Sequence, residues 1–311
     1  GTKLDVSRFQ TAAYRKTAGY DEKFLGGKIP LPKVRDRKLA SQIAETRDRK
    51  KQLDYTHFSV VMHKQRRVAL FTAVNIDGAS RSAKKRTSVR WRADPRMDEK
   101  YQTLADVYGE SANGRVQLDR GHLVRRLDPV WEPNGNDDLL EQAEEDTFHY
   151  TNAAPQEHGF NDKTWGNLED YVLSYAEGQL QRVKGRHARL SVFTGPVLRE
   201  DDREYGVGLR GGPWRIPNSF WKVVVFRRPD QTLSVSAFKL DQTEAVDPLF
   251  ERYAPYSDAQ ARTFQVRLTM IETLTGLDFG AVMRKADAYS RGALESTRAL
   301  KPILGRTDIV L

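Results

Sequence analysis

The sequence predicts a mixed α+β fold. Runs of β-branched and aromatic residues occur early in the chain and again in its second half, and one long amphipathic stretch lies between them. Strands, a helix, further strands and then short helices are the order typical of an α+β domain. A chain of 311 residues is long enough for one large domain or two ordinary ones.

The strand predictions rest on apolar runs bounded by turn residues. Residues 57–62 and 68–76 flank a polar hairpin turn at 63–67, and Asp77-Gly78 ends the second run. Further strands are predicted at 190–197, 220–226 and 233–240. The run at 220–226 is so apolar that we expect it to be a buried central strand.

Two helices are predicted from their periodicity and end signals. The first runs from about Asp162 to Val183, and its apolar face consists of Trp165, Leu168, Val172, Leu173 and Leu180. The second is short: the segment 269–272 fits a capping box, and Gly276 would end the helix.

Composition and charge exclude several kinds of protein. No apolar run approaches the ~20 residues that a membrane-spanning helix needs, so we predict no membrane partner. The chain has no cysteine, which excludes disulfides, thiolate nucleophiles and cysteine-ligated zinc. Its 51 Lys and Arg residues outnumber 42 Asp and Glu residues, and the net charge of +9 favours polyanionic partners. Such partners include nucleic acid, anionic lipid and acidic proteins.

The tetrad Asp119-Arg120-Gly121-His122 is the first of two candidate catalytic motifs. It follows a short strand-like run at 116–118, so we expect it at a strand end or in the turn after it. His122 can accept a proton near neutral pH, and Arg120 can bind a phosphate through its planar guanidinium. Taken alone, the tetrad is equally compatible with an ordinary turn that carries a surface histidine.

The second motif lies on the long predicted helix. Asn161, Trp165 and Glu169 are each four residues apart, so they form one stripe that drifts by about 40° per step. An amide oxygen and a carboxylate on one stripe suit a hard cation such as Mg²⁺. Asn161 fits a helix N-cap equally well, and Glu169 fits a solvated surface charge. Trp165 is best interpreted as a core residue.

Together these motifs resemble the DNA/RNA non-specific endonuclease family, the ββα-metal nucleases, and its bacterial members above all. The resemblance rests on Asp119-Arg120-Gly121-His122 (the DRGH motif), Thr151-Asn152, Pro155-Gln156, Asn161, Trp165 and Leu168-Glu169. Further matching segments extend it over most of residues 19–280. It implies a ββα-metal (His-Me finger) core in a central, mostly antiparallel sheet flanked by helices.

The resemblance also implies a metal cofactor, Mg²⁺, for which Mn²⁺ would substitute. Asn161 would be the direct ligand of the metal, while Glu169 and Asn152 would contact it through water. The implied function is a magnesium-dependent endonuclease that cuts DNA and RNA without sequence preference and leaves 5′-phosphate ends. The alternative from another class is a catalytically inactive nucleic-acid-binding protein.

The implied catalytic residues are His122, Arg120, Asp119 and Glu169. His122 would be the general base, Arg120 would hold the phosphate, and Asp119 would orient the local backbone. With an ordinary histidine pKa, activity should decline below about pH 6.

One position departs from the family. A second phosphate-contacting arginine is expected on the strand at 73–76, where this chain has Asn75. Either Asn75 binds substrate weakly, or Arg90, Arg92 or Arg125 replaces the missing arginine; the sequence leaves this open. We count all four among the predicted substrate-binding residues.

The expected organisation is an N-terminal extension at 1–52, an endonuclease domain at 53–285 and a C-terminal tail at 286–311. The expected location for a bacterial member is the cytoplasm, with the periplasm and secretion left open. The expected partners are DNA and RNA. Homodimer formation, an inhibitor or regulatory domain, and membership of a larger protein or defence system are also left open.

Overall fold

The structure of the chain is a computed structural model. It describes residues 17–82, 89–110, 117–157, 168–180, 188–207, 211–242, 263–292, 300–303 and 308–311. Within those ranges, every helix is too short or too polar to span a bilayer.

The described residues form short and long β-strands along the whole chain. They are β1 (Lys33–Val34), β2 (Leu53–Tyr55), β3 (Phe58–Met62), β4 (Ala69–Asp77), β5 (Gly109–Glu110), β6 (Gln117–His122), β7 (Ala153–Glu157), β8 (Arg189–Val197), β9 (Glu204–Tyr205), β10 (Trp214–Arg215), β11 (Ser219–Arg227), β12 (Leu233–Asp241), β13 (Thr263–Val266), β14 (Leu277–Asp278) and β15 (Leu300–Pro302).

The described α-helices are α1 (Arg37–Ser41), α2 (Asp137–Asp146), α3 (Leu168–Leu180), α4 (Leu268–Thr275), α5 (Gly280–Lys285) and α6 (Ala288–Gly292). Short 3₁₀ turns occupy Glu99–Tyr101, Ala105–Val107 and Tyr150–Asn152.

An eight-stranded antiparallel sheet forms the centre of the described fold. Its strand order is β15-β13-β12-β11-β8-β4-β3-β2, with β11 and β8 in the middle. A separate three-stranded antiparallel sheet has the order β5-β6-β7. The α+β fold with a central antiparallel sheet is therefore confirmed, as are the five predicted strands at 57–62, 68–76, 190–197, 220–226 and 233–240.

Strand alternation gives the central sheet two apolar faces. On one face, Val74 and Val224 belong to the core that also contains Val172 of α3. On the other face, Ala73 and Val223 pack in a second core with the N-terminal segment and α4. The paired strands β6 and β7 contribute Ala154 to the first core, so this strand pair and α3 lie on the same side of the sheet.

The described part of the long predicted helix and the short predicted helix are both confirmed, and one end signal of the short helix is wrong. Residues 168–180 of the long predicted helix are helical, and Gly276 ends α4 in the left-handed conformation with φ 70°. The capping box, however, does not form, because α4 begins at Leu268 and its first amide donates to Asp287 instead. Glu272 accepts a hydrogen bond from the amide of Phe279, which fixes the chain after the helix.

Both ends of the described chain pack against the central domain. Val34 pairs with Leu277, and the amide of Ala44 donates to the Met62 carbonyl over 2.8 Å. At the other end, β15 pairs with β13, and the Val310 amide donates to the side chain of Gln265.

Candidate active site

The Asp119-Arg120-Gly121-His122 tetrad lies inside a strand. It forms the last four residues of β6, and His122 pairs with Ala153 of β7. Because side chains alternate along a strand, Arg120 and His122 project from one face of β6 and Asp119 from the other. The structure therefore brings Arg120 and His122 together and separates Asp119 from both.

Four aromatic rings line the face of β6 that carries His122 and Arg120. We call Phe148, Trp91, Tyr150 and Tyr108 the aromatic row. The Trp91 ring lies 5.3 Å from Phe148 and 5.9 Å from Tyr150, and Tyr150 lies 6.0 Å from Tyr108, centroid to centroid. Backbone hydrogen bonds from Arg92 to Phe148 and from Tyr150 to Arg92 fix this arrangement.

His122 rests between two of these rings. Its imidazole centroid lies 4.7 Å from Trp91 and 5.0 Å from Phe148, which meets it edge-on at 88°. Its Nε2 atom is buried and has no hydrogen-bond partner among the described residues. Burial, assisted by the positive charge of Arg126, lowers the pKa of His122 to about 3. The imidazole is therefore neutral at pH 7.

Arg120 lies over the tyrosines of the row. Its Cζ atom is 5.2 Å from the centre of the Tyr108 ring and 6.0 Å from that of Tyr150, which is the geometry of a cation–π contact. Its Nε atom is buried without a hydrogen-bond partner, and no carboxylate in the described part of the chain pairs with it. An arginine held by rings rather than by an acid keeps its charge available for an anion.

Gly121 is needed where it stands because Gln156 fills the space beside it. A Cβ atom on residue 121 would lie 2.1 Å from Cδ of Gln156. Gln156 is fully buried, and both its amide atoms lack a partner among the described residues. The sequence motif contained Gln156, but it gave no reason to assign this residue a role.

Asn152 holds the segment that follows His122. Its Oδ1 accepts a hydrogen bond from the Val124 amide at 2.9 Å, and its Nδ2 donates to the carbonyls of Val124 and Thr147. The side chain is fully buried. These three bonds fix the start of β7 against the end of β6, and so they fix the backbone around His122.

The predicted substrate-binding arginines differ in their surroundings. Arg90 is exposed, whereas Arg92 donates from Nε to Nε2 of the buried His149 at 3.1 Å. Arg125 binds Asp170 of α3 at 2.8 Å, and Arg81 binds the other oxygen of the same carboxylate at 2.9 Å.

Asn75 lies on the opposite face of the central sheet from the paired strands β6 and β7. It is 1% exposed, and its amide bonds to the backbone of Asp21 and to the Ser191 hydroxyl. The structure therefore does not bring Asn75 together with His122. The physical reason is strand alternation: Val74 and Ile76 face the core that contains Val172 of α3, so Asn75 between them faces the other way.

Two of the three predicted helix residues lie outside the described residues, namely Asn161 and Trp165. Glu169 is the second residue of the described part of α3, and its neighbour Asp170 ties that turn to Arg125. Leu168 packs in the same core as Val124, just after His122. The start of the described helix and the end of β6 are thus held against one core.

Residues 36–286 match the DNA/RNA non-specific endonuclease family. The chain belongs to this family. The match includes the whole β5-β6-β7 sheet and α3.

The chain is also similar to three individual proteins. An uncharacterized protein of Sinorhizobium fredii, y4fB, is 38% identical over 282 residues, which cover 88% of this chain and 40% of that protein. A nuclease of Serratia marcescens is 27% identical over 192 residues, or 60% of this chain and 59% of that protein. A nuclease of Nostoc is 28% identical over 162 residues, or 52% of this chain and 50% of that protein. The chain thus spans 40% to 59% of the lengths of these relatives.

A solved complex of EndoG with EndoGI is also similar. Its matching chain is 19% identical, has a TM-score of 0.49, and covers 76% of this chain and 86% of its own length.

Among the described residues, no group of three or more His, Asp or Glu side chains could hold a metal ion. Gln156 has a buried amide without a partner among those residues, but it pairs with Asp119 and therefore faces away from His122. A metal site beside His122 would therefore depend on Asn161, which lies outside the described residues.

Proposed function

We propose that this chain is a magnesium-dependent endonuclease that hydrolyses phosphodiester bonds in DNA and RNA without sequence preference. The observation that carries the proposal is the pairing of a neutral His122 with an Arg120 to which no described carboxylate binds, two residues apart on one face of β6. One side chain can accept a proton, and the other can bind a phosphate. Family membership supports the same conclusion.

His122 acts as the general base in this proposal. Its Nε2 atom is buried, so the proton is accepted at Nδ1. As His122 removes a proton from water, the water oxygen forms a bond to phosphorus and the bond from phosphorus to the 3′ oxygen breaks. The leaving 3′ oxygen takes up a proton from solvent water, and the imidazolium then returns its proton to solvent, so the products carry 5′-phosphate and 3′-hydroxyl ends. General base catalysis of this kind contributes roughly 10²- to 10⁴-fold to the rate.

Arg120 binds a non-bridging oxygen of the scissile phosphate. The pentacovalent transition state carries more negative charge than the ground state, so a fixed guanidinium stabilises it preferentially. Asp119 and Asn152 hold the backbone on either side of His122, Asn152 through its three buried hydrogen bonds. A chain that contacts phosphates rather than base edges reads no sequence.

The residues that would hold the metal are Asn161 directly and Glu169 through water, with Mg²⁺ or Mn²⁺ as the ion. Asn152, predicted from the sequence to join them through water, is fully buried with its amide bound to backbone groups, so it would act by fixing the strand that carries His122. When bound, the ion supplies Lewis-acid stabilisation of the charge that develops on the phosphate oxygens. Arg90, which is exposed, binds a flanking phosphate together with the solvent-facing part of Arg92.

The test is a cleavage assay with purified protein on supercoiled DNA, linear DNA and RNA. With Mg²⁺ we expect all three to be cut without a fixed pattern of fragments, and with EDTA we expect none to be cut. End-labelling of the products should reveal 5′-phosphates. DNA retardation in a gel with no cleavage at any metal concentration would instead establish the inactive nucleic-acid-binding protein.

A further inference from the structure

Among the described residues, His122 and Arg120 lack the partners that usually orient such groups. A catalytic histidine is commonly held by a carboxylate or carbonyl on its second nitrogen. Within those residues, however, Nε2 of His122 accepts or donates no hydrogen bond. Arg120 likewise has no acid beside it there, whereas Arg92 and Arg125 both have one. The support that the described residues give these two side chains is therefore not an ion pair.

The aromatic row provides that support. His122 packs against Trp91 and Phe148 at 4.7 and 5.0 Å, and Arg120 lies over Tyr108 and Tyr150. The rings also contact one another in sequence, from Phe148 through Trp91 to the tyrosines. One continuous surface therefore contacts both groups.

Ring contacts suit both groups physically. An edge-on phenylalanine restricts rotation of the imidazole and leaves it without a competing charge. A guanidinium over a tyrosine face gains cation–π attraction while its N–H groups remain free for a phosphate. An acid partner would occupy those N–H groups and cancel the charge.

Resting on the proposed function, we propose that the aromatic row is the positioning surface of the active site. Trp91 and Phe148 act through His122, and Tyr108 and Tyr150 act through Arg120. None of the four is a catalytic residue, because none needs to touch the reacting atoms. Loss of a ring should lower kcat by roughly 10- to 100-fold, since small displacements of a catalytic group cost rates of this order.

The first arm of the test compares two identical substitutions. Phe148→Leu and Phe279→Leu both remove a buried phenylalanine that contacts two rings, but Phe279 packs in the core on the other face of the sheet. With Mg²⁺ and DNA, we expect kcat to fall in Phe148→Leu only, with KM changed by less than about threefold. Thermal unfolding of both variants controls for stability. Equal kcat in the two variants would overturn the proposal.

The second arm uses double-mutant cycles. Trp91→Leu should lower kcat in the wild-type background and have no further effect in His122→Ala. Tyr108→Leu should behave in the same way towards Arg120→Ala, whereas Tyr108→Phe, which keeps the ring face, should retain activity. A further fall in kcat in either alanine background would refute positioning through that residue.

If the leucine variants do not fold, a smaller substitution tests whether the aromatic row positions His122. Trp91→Phe keeps an aromatic ring but shortens its reach to His122, so we expect a fall in kcat of at least about threefold; unchanged kcat would overturn the proposal. Failure of the proposed function is seen separately, because the wild-type protein would then leave DNA uncut. If the wild type cuts DNA and the ring variants match Phe279→Leu, only the positioning role fails.

Discussion

Arg125 donates a hydrogen bond to Oδ2 of Asp170 over 2.8 Å, so an arginine just after β6 is bound to the helix that carries Glu169. The second oxygen of Asp170 accepts from Arg81, and the two arginines hold the pKa of this carboxyl below its usual range. Arg125 therefore ties the segment after β6 to α3, and its charge is already balanced locally.

This balance predicts different salt responses for two arginines. Arg90→Ala should reduce the slope of log K against log salt for DNA binding by about 1, because an exposed arginine that contacts one phosphate releases about one counterion. Arg125→Ala should reduce the slope by much less. The measurement is fluorescence anisotropy in EDTA over a salt series, and an equal reduction in both variants would show that Arg125 also contacts phosphate.

His122→Ala should separate catalysis from binding. We expect kcat with Mg²⁺ to fall by roughly 10²- to 10⁴-fold, because the group that accepts the proton from water is lost. The DNA dissociation constant in EDTA should stay within about twofold of wild type. A variant that retains near wild-type kcat would contradict the assignment of His122 as the general base.

The pH profile should extend further into acid than the sequence alone predicts. An ordinary histidine would lose activity below about pH 6, but burial and Arg126 lower the pKa of His122 to about 3. The neutral, proton-accepting form therefore persists as pH falls through 6 and 5. We expect kcat/KM at pH 5 to remain above half its value at pH 7, in samples shown by circular dichroism to be folded. An acid limb centred near pH 6 would rule out this shift.

Folding stability should respond to acid through His149. Nδ1 of this fully buried residue donates to the Asp146 carbonyl, and Nε2 accepts from Arg92, so the folded protein holds the neutral form. Burial lowers its pKa to about 4. Because the unfolded chain binds the proton at about pH 6.5, stability is complete above that pH and is lost as pH falls towards 4.

The loss of folding stability in acid can be measured directly. His149 alone should contribute up to about 3 kcal/mol of acid-dependent loss between pH 6.5 and 4. Urea unfolding across this range should show the decline, and His149→Gln should flatten it while lowering stability at pH 7. His63 and His122, whose pKa values are also lowered, to about 4 and about 3, would sustain the remaining slope. An unchanged slope in His149→Gln would refute the assignment.

The same substitution at two glycines should have opposite effects. Gly121→Ala places a Cβ atom 2.1 Å from Gln156, so strands β6 and β7 must shift relative to each other. We therefore expect lower stability and at least about tenfold lower kcat. Gly178→Ala, at an exposed position of α3 with nothing within 4 Å, should stabilise the protein by about 0.5–1 kcal/mol without changing kcat. Thermal unfolding and cleavage assays check both, and a neutral Gly121→Ala would mean that Gln156 moves freely.

The sequence by itself determined the strands, because their apolar and β-branched runs carry a local period that needs no tertiary information. It also determined the family, since the tetrad and the residues after it agree in order and spacing. The capping box at 269–272 failed because Asp287, nineteen residues after Leu268, supplies the cap from a distance.

Only the tertiary structure decided which residues meet. Strand alternation set Arg120 and His122 on one face of β6 and directed Asn75 to the far face of the central sheet. It also brought Trp91 and Phe148, 57 residues apart in the chain, onto the same imidazole. A linear pattern records the period of each strand but not the partner opposite it, because that partner is selected by packing between segments distant in the chain.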